Sequence, residues 1–239
     1  MTKLPIVLSL PLSLTIADLL ALALLFLAWF GCAHVIEHSP PGRPSVSTLM
    51  RRYRRDWMEQ FVHRDPRIFD GNILSSLREG TSFYASACMI AIGGGLALIG
   101  NTDPLAGIAR ELDAGEIPAL VWKVKILLVL GFVANAFLKF VWSHRLFGYC
   151  AIMMAAVPNN PEAPDAMSRA HAAAQVNIHA ARNFNIGLRA VYFALGAIGW
   201  LAGPIGLVVG TVLVTALTLR REFASGSRRA ILRDLGDRR

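Results

Sequence analysis

The chain has 239 residues, 54% of them hydrophobic and only 17% charged, with a mean hydropathy of +0.48. That is too little charge to coat a soluble domain of this length, and the apolar excess lies in a few long runs, so a soluble globular fold is excluded. The formal net charge of +8 comes mainly from arginine, clustered beside apolar runs, which is the mark of membrane-protein loops on the cytoplasmic side and excludes a nucleic-acid partner.

The first predicted span covers about 16–35, with Asp18 near its start and Trp29 and His34 near one interface. Lys3 precedes this stretch, but the apolar run is too long for a signal-peptide core and no Ala-x-Ala site follows, so it reads as an uncleaved anchor. Twenty residues rising 1.5 Å each cross a hydrocarbon layer of about 30 Å. A cytoplasmic helical segment is predicted over about 48–79, after the Pro/Ser-rich stretch 40–47. Trp57, Met58, Phe61 and Val62 give it an apolar stripe, and Ile68, Ile73, Leu74 and Leu77 give a second one after Asp65-Pro66.

The second span covers about 82–100, where Ala87, Ala91 and Gly95 form a small-residue row. The third covers about 119–141, with Trp122, Lys123 and Lys125 marking one interface and Lys139 with Trp142 the other. Its pattern continues beyond the bilayer until Pro158. The segment 143–184 is then cytoplasmic and ends in an alanine-rich helix. The last apolar stretch, 188–219, would be about 48 Å long as one helix, and Gly203-Pro204 sits near its middle. Two spans, about 185–202 and 205–219, fit better; one Pro-kinked helix, giving four spans, is the alternative. Gly206 and Gly210 stand at the spacing of a helix-packing face.

Charge orients these elements. Residues 39–79 hold eight arginines against five acids, 101–119 one against four, 143–186 three against two, and 220 onward seven against three. With five spans every basic segment falls in the cytoplasm, the N-terminus outside and the C-terminus inside. The expectation is an all-α, multi-span transmembrane helix bundle of about five spans with cytoplasmic helices, forming one membrane domain over 1–239. Its expected setting is a bacterial inner membrane. Its expected partners are the lipid bilayer, anionic headgroups and itself or another membrane protein.

Many residues then resemble a known family. They are Trp57-Met58, Arg64, Arg67-Ile68, Asp70, Ile73-Leu74, Leu77, Phe83 and Ala85-Ser86; Lys139-Phe140, Trp142-Ser143, Arg145, Phe147 and Tyr149; and Asn177, Phe184-Asn185, Gly187, Arg189, Tyr192-Phe193, Trp200 and Arg220-Arg221-Glu222-Phe223. In this order, over about 17–232, they are similar to a bacterial and plant membrane family catalogued as domain of unknown function 599. The resemblance implies a multi-pass membrane protein and no established activity.

Candidate sites are sparse. His34 and His38 lie four apart on one helix face with Glu37 beside them, a spacing that binds metal when a third ligand arrives and otherwise caps a helix end. His171 and His179, with His144 as a facing partner, are the groups a haem would need. Cys32, Cys88 and Cys150 match no metal or redox spacing and read as small buried thiols. No cofactor is predicted, and no P-loop, G-x-S-x-G, H-E-x-x-H or dinucleotide fingerprint is present. Asn135, Lys139 and Arg189 would form a positive vestibule for an anionic solute or headgroup, and Arg51, Arg52, Arg54 and Arg55 suit anionic lipid headgroups. Ala91, Gly95, Gly206 and Gly210 are candidate packing positions for association. Arg145 or Arg189 is expected to pair with an acid of the 56–79 region, such as Asp65, Asp70 or Glu79. The leading reading is a structural, regulatory or accessory subunit of a membrane complex; a small transporter or channel for an anionic solute and a metal- or haem-binding protein are the alternatives.

Overall fold

A computed structural model describes residues 14–40, 42–101 and 118–237. Among them every regular element is helical: α1 (Ile16–Glu37), α2 (Val46–Val62), α3 (Ile68–Gly100), α4 (Ala119–Ala155), α5 (Ala166–Ile198), a 3₁₀ turn (Gly199–Ala202), α6 (Pro204–Phe223) and α7 (Gly226–Asp237). Among the described residues five helices are long and apolar enough to cross a membrane. The chain is therefore a multi-pass, all-helical membrane protein.

Local chemistry sets the helix ends. Thr15 caps α1 in a reciprocal box with Asp18. Ser45 caps α2 by accepting from the Thr48 amide, and its own hydroxyl donates to the Ile36 carbonyl, so the cap of α2 also finishes α1. Gly203 has φ 96°, a conformation that disfavours any side chain, and Pro204 opens α6 with no amide to leave unpaired. The last apolar stretch is thus two antiparallel helices and not one kinked helix.

Helix α3 runs unbroken through Gly80, joining the predicted second stripe of the cytoplasmic segment to the second span. Gly80 lacks any added reason for a break: no proline follows it within the helix. Its 33 residues span about 50 Å, and the 37 of α4 about 55 Å. Both exceed a hydrocarbon core of about 30 Å, so their far halves stand outside it. There they meet α2 and the first half of α5 in a platform. Its core holds Met58, Phe61, Val62, Leu74, Phe147 and Cys150 against Ala166, Ala170, Ala173 and Ala174. Alanines at these spacings form one thin face, which lets α5 approach its neighbours closely.

Within the membrane half, α1, α4, α5 and α6 enclose Leu25, Phe132, Phe193, Ala197, Trp200 and Leu207. Cβ atoms added at Gly199 and Gly206 would come within 2.3 and 2.2 Å of each other's carbonyl oxygens. The α5–α6 hairpin therefore closes backbone to backbone. Gly210 sits against Gly196 in the same way, and Gly95 of α3 against the Leu130 side chain of α4. These packing glycines are spent inside the chain rather than on association. Beyond Thr81, Cys88 is the one residue of α3 that is buried, and Ala91 is exposed.

Candidate anion site between the spans and the platform

Where the spans reach the platform, the ends of α1 and α6, the middle of α5 and the first turns of α2 surround a cavity of about 340 Å³. On α2, Ser47, Arg51 and Arg54 fall on one face by their four- and three-residue spacing; on α5, Arg182, Asn185 and Arg189 do the same. Helix α1 ends on Glu37, and α6 ends on Arg221 and Glu222. Five guanidinium groups and two carboxylates thus share one wall.

Both carboxylates are engaged. Glu37 accepts from Arg182 through Nε at 3.1 Å and through Nη2, and from Arg189 Nη2 at 2.8 Å. Glu222 lies on the open N-terminus of α2, accepting from the Ser47 amide at 3.0 Å and the Ser47 hydroxyl at 2.9 Å. Asn185 donates to that same hydroxyl at 3.3 Å. Among the described residues the remaining arginines of the cavity pair with no carboxylate. Arg54 donates to the side-chain carbonyl of buried Asn177, and burial pushes its guanidinium below its ordinary value; such a group still carries its charge at neutral pH. Arg221 donates to the Tyr192 hydroxyl and lies over that ring.

The structure thus gathers Arg51, Arg54 and Arg189 from the predicted set and adds Arg182, Arg221, Glu37 and Glu222. Arg52 and Arg55 are exposed on the outer face of α2. Asn135 and Lys139, the predicted companions of Arg189, line no part of this cavity, and Asn135 is exposed on α4. The expected tie to the 56–79 acids is also corrected. Arg189 goes to Glu37, and Arg145 donates to the Tyr149 hydroxyl at 2.5 Å. Asp70 is taken within the platform by Arg64 and by the Trp57 indole, which are nearer along the chain. The rings of His34 and His38 stack at 4.6 Å. Among the described residues no group of three His, Cys, Asp or Glu side chains forms a metal-binding set. His171 bonds Glu59, His144 faces Thr81 and the Arg78 carbonyl, and His179 is exposed, so these three do not face one another across a haem-sized gap.

A second charged cluster lies at the far end of the bundle, where the predicted interfacial Lys125 proves to be buried. Asp18 is 7% and Lys125 4% exposed. The Trp200 indole donates to Asp18 at 2.7 Å, and the Lys125 ammonium sits 5.1 Å from the Trp122 ring centre and 5.8 Å from that of Trp200. The opposite charges attract through a low-dielectric interior, so this cluster locks α1, α4 and the 3₁₀ turn together.

No curated protein and no solved structure matches this chain. A family profile does, that of the group described as "Protein of unknown function, DUF599", over residues 20–227. The match takes in four of the five spans whole, part of the first, the platform and every arginine of the cavity, and the chain belongs to the DUF599 family.

Proposed function

We propose that this membrane protein is an anion receptor that holds a negatively charged ligand in the arginine cavity on the cytoplasmic side. One observation carries the reading: Arg51, Arg54 and Arg221 line a cavity of about 340 Å³ with no carboxylate against them, while both glutamates there are engaged. Uncompensated guanidinium groups in a concave site demand an anion. The arginine excess of 39–79 and of the tail supports a cytoplasmic platform, with the basic C-terminus inside. A reporter fused after Arg239 is expected to read as cytoplasmic; a periplasmic signal sinks the orientation.

Binding is tested by unfolding the detergent-solubilised protein against sulfate, phosphate and citrate. An anion at a hundred times its dissociation constant adds about 2.7 kcal/mol, or a rise of roughly 5 °C or more in Tm for a chain of this size. The shift is expected to vanish in an Arg51→Met, Arg54→Met double variant; equal shifts in that variant and the parent defeat the proposal. A flux assay in liposomes separates a carrier for such an anion from a receptor that only holds it.

Association in a larger membrane complex is the second reading. It is favoured by the bare membrane half of α3, where Phe83, Ile90 and Leu96 are exposed. Cross-linking in native membranes that yields the monomer alone removes it.

A further inference from the structure

Resting on that anion-receptor reading, we infer that the ligand is a phosphomonoester, borne by a lipid or by a small soluble molecule. Charge makes the first selection. Five guanidinium groups against two carboxylates leave three positive charges in the wall. A carboxylate or a phosphodiester supplies a single negative charge. A phosphomonoester supplies about −1.5 to −2 at neutral pH, with three terminal oxygens that each accept hydrogen bonds. Three arginines without a carboxylate match three such oxygens.

Helix geometry makes the second selection. The wall includes Ser225 and Ser227, at the start of the 12-residue helix α7. Ser225 caps that helix by accepting from the Arg228 amide at 3.2 Å, and its first turn holds no acidic residue. The N-terminus of α2, on the neighbouring wall, shows what such an end attracts: the Glu222 carboxylate sits on it. The corresponding end of α7 has no side-chain carboxylate of its own, so it adds its partial positive charge to the cavity.

The wall is also amphipathic. Ile36, Val46, Met50 and Ile178 line the cavity alongside the arginines and give an organic substituent somewhere to rest. The cavity lies at the ends of α1 and α6 and the middle of α5, where the spans meet the platform, so a lipid-borne phosphate is as eligible an occupant as a soluble one.

The experiment measures affinity for four probes on the purified full chain: glycerol 3-phosphate, the diester dimethyl phosphate, and nanodiscs containing either phosphatidic acid or phosphatidylglycerol. At least one of the two monoester probes is expected to bind about tenfold or more tighter than its control, dimethyl phosphate or the diester lipid. The arm that does so identifies the source as soluble or lipid-borne. Affinity for the monoester is expected to fall as pH drops below about 6, where the second phosphate proton returns, and the controls to change little. Arg51→Met, a change at a partly exposed position that should leave the fold intact, is expected to weaken the monoester about tenfold, and Arg145→Met, outside the cavity, to leave it unchanged. Equal affinity for monoester and control in both arms, with no step near pH 6, overturns the phosphomonoester while leaving an anion receptor standing. Failure of all four probes to bind overturns both.

Discussion

Gly206→Leu is expected to cost about 3 kcal/mol and to open the α5–α6 hairpin. A Cβ at Gly206 lands 2.2 Å from the Gly199 carbonyl oxygen and 3.2 Å from the Ala202 Cβ. The obstacle is backbone, so no rotamer change relieves it, and the helices must separate. In lipid, apolar side chains gain little from packing on one another rather than on acyl chains, so lost close contact is not recovered elsewhere. Separation also pulls Trp200 from Asp18, because the 3₁₀ turn carrying Trp200 belongs to the hairpin. Gly93→Leu is the control: a Cβ there meets nothing within 4 Å, and the change should stay within about 0.5 kcal/mol. The two variants are compared by thermal unfolding and near-ultraviolet circular dichroism in one detergent. Similar losses for both would show that the glycine contact is not what closes the hairpin.

Asp70→Ala is expected to cost about as much, from a different cause. Asp70 is 0% exposed, and its Oδ1 accepts from the Trp57 indole at 2.7 Å and from Arg64. Its removal strands an indole N–H and a half-buried guanidinium at the edge of the platform core. Breaking one side of a buried pair costs about 3–5 kcal/mol, and partial exposure of Arg64 places this case at the low end. Asp165→Ala is the surface comparison. Its pair with Arg169 is a helical i,i+4 contact with both side chains about half exposed, worth at most about 0.5 kcal/mol. Asp70→Asn keeps an acceptor for Trp57 and should fall between the two. A melting temperature for Asp70→Ala matching that of Asp165→Ala would mean that apolar packing alone holds the platform.

Local signals carried most of the fold. The spans announce themselves by hydropathy over windows of about twenty residues, and Gly203-Pro204 marks the hairpin turn because glycine readily takes a positive φ and proline fixes its own φ whatever surrounds them. The same signals misplace Lys125. A lysine beside a tryptophan near a span end is the pattern of an interfacial anchor, and only the return of Trp200 and Asp18 from distant segments shows that it is enclosed. The anion cavity was half legible. Arg51 and Arg54, with Ser47, share a helical face, and so do Arg182, Asn185 and Arg189, which spacing alone could have revealed. That these two faces meet, and that Glu37 takes Arg189 before any acid of 56–79 can, depends on helix pairing across 152 positions. Periodicity within one segment holds no information about that.

The carboxylate on the α2 N-terminus has a consequence for how the protein is made. Ser47 leaves the ribosome 175 residues before Glu222, its partner. At about 5–20 residues per second, the start of α2 waits roughly ten to thirty seconds for the group that completes it. Glu37 waits similarly for Arg182 and Arg189, and Asp18 for Trp200. The early helices are therefore made with their local caps in place but without these long-range partners, which α5, the 3₁₀ turn and α6 bring later. A chain truncated before α6 would carry a platform without this latch.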